Sequence, residues 1–255
     1  MLVLHKGTDA DRRILALSPH LDDAILSVGG ALRNAVLDGA RVVIATLFAG
    51  EDPVELSPYA AGLHKACGYP GRGFVARRRG EDAMAVTAIG CGVEHATIPE
   101  AVYRIGATGP LYTSHASLFA AHSEGADFLD TVGQLIGRLV ARFCPTEIWT
   151  SDASAGHVDH VIAVTAACRV ARETNTPLAM WVDQPYGGKM LLQTAGIRPL
   201  PYDLWLCKRR AVAMYRTQMR LLFPNDNLTI LMFERLEWDR VPHKVVGESI
   251  GSSFD

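Results

Sequence analysis

Short runs of apolar residues alternate along the chain with segments in which apolar residues recur at helical spacing. Residues 14–17 and 41–48 are apolar at nearly every position, which is typical of strands buried on both faces of a parallel sheet. Between them, apolar residues recur every three or four positions from Ile25 to Val36. Because Gly39 follows, this spacing predicts a helix that ends near that glycine.

The same alternation of strand-like and helix-like segments continues through the rest of the chain. We predict further helices over residues 75–89, 126–143, 157–172 and 208–221, strands over 95–98, 147–150 and 178–182, and a last apolar run at 228–233. Residues 49–74 and 100–124 have little periodicity and are interpreted as long loops, which often carry function. This order predicts one Rossmann-like α/β domain over residues 1–255, with a mostly parallel sheet and helices on both faces.

Composition and charge exclude several classes of protein. The formal net charge of −2 gives no basic footprint, so we expect no nucleic-acid partner. No run approaches the roughly 20 apolar residues of a membrane span, and the first residues do not resemble a signal peptide, so we expect a cytoplasmic protein. The five cysteines are scattered and form no Cys-x-x-Cys pair, which argues against a disulfide framework and against a thiolate zinc site.

Two polar motifs directly follow predicted strands. Residues 18–23 read Ser-Pro-His-Leu-Asp-Asp, and residues 156–160 read Gly-His-Val-Asp-His. Because ligands bind beyond the carboxyl ends of parallel strands, we expect the two motifs to form one site. Two histidines and a carboxylate are a catalytic zinc arrangement, and a further carboxylate could serve as a general base on water. Taken singly, Asp22 or Asp23 could instead cap the following helix, and either histidine could be an ordinary polar residue.

These motifs resemble the signatures of the LmbE/PIG-L family of zinc-dependent N-deacetylases. The first family signature, His-Pro-Asp-Asp, is similar to residues 20–23, and the second, Gly-His-x-Asp-His, is matched by residues 156–160. Residues 78–90 resemble the arginine-rich helix of that family, and residues 208–218 resemble its late Lys…Tyr…Gln helix. The resemblance therefore covers most of the chain.

The resemblance implies a metal site formed by His20, Asp23 and His160. Zn²⁺ is the expected ion, and Fe²⁺, cobalt and manganese are alternatives because a site of this kind accepts several divalent ions. Two positions depart from the family pattern. Leu21 replaces the usual proline and should loosen the turn, and Ala24 replaces a common glutamate that could support the ligands.

The resemblance also implies three catalytic residues. Asp22 would be the general base that takes a proton from the attacking water and then protonates the leaving amine. His157 would stabilise the oxyanion of the tetrahedral intermediate, and Asp159 would orient or tune His157. Ala155 stands where some members of the family carry a mobile tyrosine.

Tyr103 and Tyr112 are candidates to replace the hydroxyl that is missing at position 155. By resemblance, the substrate-binding residues would be Arg78, Glu100, Tyr103 and Arg104, since arginine donates paired hydrogen bonds and glutamate accepts them from hydroxyl groups. A solvated helix face is the alternative for the arginine run. Residues 183–186, Asp-Gln-Pro-Tyr, follow a strand toward the same rim, where a simple strand-end turn is equally consistent with the sequence.

The expected function is hydrolytic removal of an N-acetyl, or another N-acyl, group from a small molecule that contains an amino sugar. The same residues could instead act on a different amide or on an ester. A non-catalytic sugar- or nucleotide-binding module is a further alternative, although no Gly-x-Gly-x-x-Gly follows the first strand. The aromatic segment 100–124 suits either a lid or an interface, which leaves a homo-oligomer open.

Overall fold

One six-stranded sheet lies at the centre of the molecule. The computed structural model describes residues 11–186, 192, 197–225 and 227–238. The strands are β1 (Arg13–Ser18), β2 (Arg41–Thr46), β3 (Gly92–His95), β4 (Ile105–Gly106), β5 (Gly109–Pro110), β6 (Glu147–Ser151), β7 (Leu178–Trp181) and β8 (Leu236–Trp238). The sheet order is β3-β2-β1-β6-β7-β8, with every pair parallel except β7 and β8. Strands β4 and β5 form a separate antiparallel pair.

Helices cover both faces of this sheet. They are α1 (Asp23–Leu37), α2 (Pro58–Ala66), α3 (Phe74–Ala88), α4 (His115–Leu118), α5 (Ala126–Phe143), α6 (Val158–Glu173), α7 (Tyr202–Val212) and α8 (Arg216–Leu222). Alternate residues of β1 enter different cores: Ile14 and Ala16 pack with α1 and α3, whereas Leu15 and Leu17 pack with α5 and α6. Burial on both sides explains the continuous apolar run, and the predicted mostly parallel α/β fold is confirmed.

One predicted loop and one predicted strand differ from the structure. The predicted loop 49–74 contains α2, which begins where the Ser57 side chain accepts a hydrogen bond from the Ala60 N–H at 3.1 Å. Pro58 occupies the first turn of this helix, where its missing N–H is harmless. Strand β3 ends at His95, so the strand predicted over 95–98 lies too far toward the carboxyl terminus.

The carboxyl-terminal part also differs from the prediction. The predicted helix 208–221 is two helices, α7 and α8, separated near Met214 and Tyr215. The apolar run 228–233 contains a 3₁₀ turn rather than a regular element, and the edge strand β8 follows it. None of the helices in the described ranges is long and apolar enough to cross a membrane.

The strand order places the two polar motifs together. From β1 the chain proceeds to β2 and β3 on one side, and later crosses to β6 and β7 on the other side. Strands β1 and β6 are therefore neighbours whose following connections diverge, which opens a crevice at their carboxyl ends. Residues 18–23 follow β1 and residues 156–160 follow β6, so both motifs reach this crevice.

Candidate active site

Three side-chain atoms from the two motifs form a small triangle. His20 Nδ1 lies 3.4 Å from Asp23 Oδ2, His160 Nε2 lies 3.1 Å from the same oxygen, and the two nitrogens are 3.3 Å apart. Tetrahedral zinc with bonds of roughly 2.0–2.1 Å separates its ligand atoms by about 3.3 Å. The spacing and chemistry of these donors therefore fit a divalent cation. A nitrogen of His157 lies within 4.8 Å of those of His20 and His160, outside this tighter triangle.

The charges around this triangle also suit a cation. Burial lowers the pKa of His20, but hydrogen bonds and charges from Asp159 and Asp23 outweigh it and raise the pKa to about 10. The pKa of His160 is likewise raised, since Asp183 and Asp23 outweigh the opposing effect of burial. Without a cation, protons on the imidazoles thus balance the carboxylates. Metal binding would replace those protons.

Both imidazoles of the triangle are oriented by a buried carboxylate. Asp159 Oδ2 lies 2.8 Å from His20 Nε2, and Asp183 Oδ2 lies 2.8 Å from His160 Nδ1. A hydrogen bond from each of these nitrogens leaves the other nitrogen of the ring free to face the triangle. Asp183 directly follows β7, and sequence reasoning gave it no metal-related role. A carboxylate at a strand end beside the site was the available signal.

The side chain of Asp159 makes no hydrogen bond to His157, although its charge acts on the pKa of that imidazole. It contacts His20 instead, and it also accepts hydrogen bonds from the Ala101 N–H at 2.9 Å and from Arg104. It is the backbone N–H of Asp159 that donates to His157 Nδ1, at 3.2 Å. Desolvation, followed by the charge of His20, lowers the pKa of His157 to about 3. His157 is therefore neutral, and its Nε2 carries the proton.

Asp22 lies beside the triangle but has a different environment from Asp23. Its backbone has φ 145° and ψ −30°, a conformation that non-glycine residues rarely adopt. Its side chain makes no capping hydrogen bond to α1, so the capping alternative does not hold for this residue. Burial raises the pKa of Asp22, and the Asp23 charge adds to this effect while Arg78 opposes it. Asp22 lines the cavity described next.

A cavity of about 170 Å³, open to solvent, lies in front of these residues. Of the predicted substrate-binding residues, Arg78, Glu100 and Tyr103 lie in its wall. Arg78 donates to Glu100 through Nη1, and its buried Nε has no hydrogen-bond partner among the described residues. Other wall residues that sequence reasoning gave no firm role include Leu63, Phe74, His115, Phe119, Tyr186 and Gln218.

Arg104, the fourth predicted substrate-binding residue, is not part of the cavity wall. It is buried behind the site, where it contacts Asp159 and Glu124. The sequence contained no signal for which way this arginine points.

The two tyrosines proposed to replace the missing hydroxyl both donate their protons elsewhere. The Tyr103 hydroxyl donates to His64 Nε2 at 2.7 Å, and the His64 Nδ1–H in turn donates to a backbone carbonyl. The Tyr112 hydroxyl donates to Glu124 at 2.6 Å, and Tyr112 is fully buried. Neither tyrosine therefore has a free hydroxyl proton for a substrate in this arrangement.

The late Lys…Tyr…Gln motif separates into structural and cavity-facing residues. Lys208 is fully buried and pairs with Glu234 at 2.7 Å. The Tyr215 hydroxyl donates to Asp82 at 2.7 Å, also in the interior. Gln218 lies in the cavity wall.

Comparison with known proteins places this site among deacetylases. The sequence profile described as PIG-L, GlcNAc-PI de-N-acetylase, matches residues 15–171. The chain is 28% identical to a 2'-N-acetylparomamine deacetylase of Niallia circulans, over 84% of each chain. It is 30% identical to a 1D-myo-inositol 2-acetamido-2-deoxy-alpha-D-glucopyranoside deacetylase of Nakamurella multipartita, over 68% of this chain and 57% of the relative.

Solved structures give the same result. A deacetylase from the biosynthesis pathway of teicoplanin, in its bog complex, aligns with a TM-score of 0.78 and 28% identity, over 89% of this chain and 96% of that chain. The zinc-inhibited form of teicoplanin deacetylase Orf2 aligns with the same TM-score and identity, over 89% of this chain and 97% of that chain.

Proposed function

The chain belongs to the PIG-L, or GlcNAc-PI de-N-acetylase, family, and on that premise we propose that it is a metal-dependent N-deacetylase of an amino-sugar-containing small molecule. The observation that carries this proposal is the triangle of His20, Asp23 and His160, with Asp22 and His157 in the same cavity. A donor triangle, a separate carboxylate and a neutral imidazole are the parts that amide hydrolysis requires.

The metal would be held by His20 Nδ1, Asp23 Oδ2 and His160 Nε2. When bound there, a divalent cation would supply Lewis-acid polarisation of the acyl carbonyl and would make a nearby water easier to deprotonate. Zn²⁺ is the ion we propose, with Fe²⁺ as the alternative. Teicoplanin deacetylase Orf2 has a zinc-inhibited form, which supports an interaction of zinc with a deacetylase of this fold.

Asp22 would handle the protons of the reaction. As general base it takes one proton from the attacking water while the new C–O bond forms at the acyl carbon. It then gives this proton to the nitrogen as the C–N bond breaks, so the products are a carboxylic acid and a free amine. Burial and the charge of Asp23 raise the pKa of Asp22, while the positive charges of Arg78 and of a bound cation would favour the ionised form that a base requires.

His157 would stabilise the charge that develops on the carbonyl oxygen. Its Nδ1 accepts from the Asp159 backbone, so its Nε2–H is available to donate to that oxygen. Because the pKa of His157 is held well below neutrality, its imidazole would stay neutral throughout the reaction.

The sugar would be bound on the side of the cavity that carries Arg78 and Glu100. The two side chains are paired in the cavity wall, where a guanidinium can donate hydrogen bonds and Glu100 offers acceptor lone pairs. Vicinal hydroxyl groups present both donors and acceptors, which this pair can match. The deacetylases of Niallia circulans and Nakamurella multipartita act, by their names, on acetylated amino sugars.

A panel of acyl donors tests this function. Zinc is added over a range of ratios to the full-length protein, and acid and amine release are measured for an N-acetylglucosaminide, its N-octanoyl analogue and an O-acetyl sugar. We expect release from the N-acetyl compound in the wild type and very little in Asp22→Asn. Hydrolysis of the O-acetyl sugar alone would assign the site to an esterase, and no hydrolysis at any zinc ratio would contradict the proposal.

A further inference from the structure

Arg104 occupies an unusual position directly behind the site. Its guanidinium lies against two aromatic rings, 4.8 Å from the ring centre of Phe48 and 4.3 Å from that of Phe128. The two rings are nearly parallel, at an interplanar angle of 15°. A guanidinium is attracted to the faces of aromatic rings, so these two contacts help to fix its position.

The edges of the same guanidinium are fixed by hydrogen bonds. Nη2 donates to Asp159 Oδ1, Nη1 donates to Glu124 Oε1 at 2.5 Å, and Nε donates to the Pro99 carbonyl at 3.1 Å. Arg104 is only 5% exposed, and a charge at such depth is tolerated because two carboxylates compensate it. The side chain is therefore held in one orientation, and it lies outside the cavity wall.

Asp159 connects this arginine to the metal triangle. Its Oδ1 is occupied by Arg104, and its Oδ2 by the Ala101 N–H and by His20 Nε2. With Oδ1 fixed by the guanidinium, the carboxylate presents Oδ2 to His20 in one direction. With His20 Nε2 held against Oδ2, Nδ1 is the ring nitrogen that faces Asp23 and His160.

We propose that Arg104 is a positioning residue that acts through Asp159 to hold His20 Nδ1 in the metal triangle and so sets the affinity for the cation. This inference rests on the proposed function, because it requires the triangle to bind a metal. It also assigns to Arg104 a task different from the sugar binding expected by resemblance.

The hydrogen bonds of Arg104 also reach a segment that lines the cavity. Glu124, the second partner of Arg104, also accepts the Tyr112 hydroxyl at 2.6 Å, and the Ser123 N–H donates to that same hydroxyl at 3.0 Å. These hydrogen bonds join the two ends of the segment 112–124, which contributes His115, Leu118 and Phe119 to the cavity wall. Arg104 thus connects the segment 112–124 to the Asp159 carboxylate behind His20.

Lysine should not replace this arginine well. Its ammonium is a compact charge, so it could pair with one carboxylate but could not pack against both rings and reach Asp159, Glu124 and Pro99 together. Arg104→Lys is therefore the conservative variant that keeps the charge. Arg104→Met keeps a similar volume but removes the charge. Arg142→Lys is the matched control, since Arg142 also lies near a phenylalanine ring (4.8 Å) and a glutamate (3.0 Å) but is exposed and lies outside the cavity wall.

The experiment measures Zn²⁺ dissociation constants of the full-length variants by competition with a chromophoric chelator, and the visible absorption of the Co²⁺-loaded proteins. Loss of a residue that supports a metal ligand weakens binding by about 10–100-fold, which we expect for Arg104→Met. Arg104→Lys should fall between it and the wild type, and Arg142→Lys should match the wild type. Both Arg104 variants should also change the Co²⁺ spectrum, which a loss of stability alone would not do.

The outcomes separate this inference from the proposed function. If the wild type binds Zn²⁺ and both Arg104 variants bind within about twofold of it, with unchanged Co²⁺ spectra, the positioning role is wrong. If the wild type itself binds no Zn²⁺, the proposed function fails. If Arg104→Met does not fold, Arg104→Lys decides by the same two readouts, and wild-type affinity and spectrum in it would overturn the inference.

Discussion

Asp22 and Asp23 are neighbours in the chain, yet only Asp23 contacts the two imidazoles of the triangle. Their pKa values move in opposite directions. Burial and the Asp23 charge raise that of Asp22, whereas the charges and hydrogen bonds of His160 and His20 overcome burial and lower that of Asp23. Two carboxylates that differ in this way can divide metal binding and proton transfer between them.

The backbone of Asp22 gives a prediction about stability. A residue with a side chain at φ 145° is strained, and glycine relieves such strain. In the metal-free protein, Asp22→Gly should therefore unfold with a free energy about 1 kcal/mol higher than Asp22→Ala, measured by urea denaturation. At Asp38, where φ is −78°, the same pair of substitutions should show no advantage for glycine. Equal stabilities of the two Asp22 variants would show that the turn is unstrained.

Asp183 gives a second prediction at the residue scale. Its carboxylate lies 2.8 Å from His160 Nδ1 and is almost fully buried, so Asp183→Asn should weaken Zn²⁺ binding by about 10–100-fold. Asp130→Asn is the control, because Asp130 is an exposed partner of Arg169. Chelator competition measures both, and wild-type affinity in Asp183→Asn would mean that His160 needs no such support.

Individual residues were predictable from the sequence where a motif directly follows a buried strand. That rule brought His20, Asp23 and His160 together, because the carboxyl ends of β1 and β6 meet. The direction of Arg104 was not predictable, since it depends on Phe48 and Phe128 from two distant segments. A contact between residues this far apart in the chain leaves no periodicity to detect.

Helix α1 is interrupted at Val28, whose φ of −136° and ψ of 22° are not helical. After the interruption, the N–H groups of Gly30 and Ala31 both donate to the Glu234 carboxylate at 2.8 Å. A Cβ at Gly30 would lie 2.5 Å from the Leu200 side chain, so glycine permits this close approach. The second half of α1 thus has a side-chain cap supplied by a segment more than 200 positions later.

The ion pair of Lys208 with Glu234 fixes this cap, which gives a prediction at the scale of the element. Lys208→Met leaves the buried Glu234 without its counter-charge, and should lower the free energy of unfolding by about 3 kcal/mol. The double variant with Glu234→Gln should lose less than the sum of the single effects. Lys65→Met, at an exposed position of α2, is the control in urea denaturation. Full additivity would mean that the two residues act independently.

The sequence predicted those elements that bury one face or both faces in the core, as β1, β2, α5 and α6 do. Helix α2 was missed because its glycine and proline content resembles a loop, although Ser57 and Pro58 form a helix start. Strand β8 was missed because it has only three residues at the sheet edge, and its pairing with β7 depends on tertiary contacts.

At the scale of the whole molecule, the strand order explains why the chemistry lies where it does. The chain leaves β1 toward one edge of the sheet and β6 toward the other, so the crevice between them receives residues from both halves. Asp183 joins from β7, the next strand along. The sequence predicts the class of this sheet, but the position of β6 beside β1 becomes known only from the structure.

Because the proposed metal ligands follow two different strands, β1 and β6, a bound metal should stabilise the whole fold. Zn²⁺ at 100 times its dissociation constant should add about 2.7 kcal/mol to the free energy of unfolding. That increase corresponds to a melting temperature about 5–10 °C higher in a chain of this size. Scanning calorimetry with and without zinc measures this shift, and His160→Ala should show none. An equal shift in His160→Ala would locate the stabilising zinc elsewhere.

The separation of metal binding from turnover tests the account most directly. We would measure bound zinc by mass spectrometry and acid release from an N-acetylglucosaminide for the wild type, Asp22→Asn and His160→Ala. The account predicts that Asp22→Asn keeps near-stoichiometric zinc and loses about 10²–10⁴-fold in rate, whereas His160→Ala loses both zinc and activity. Equal loss of zinc in the two variants, or full activity in Asp22→Asn, would contradict it.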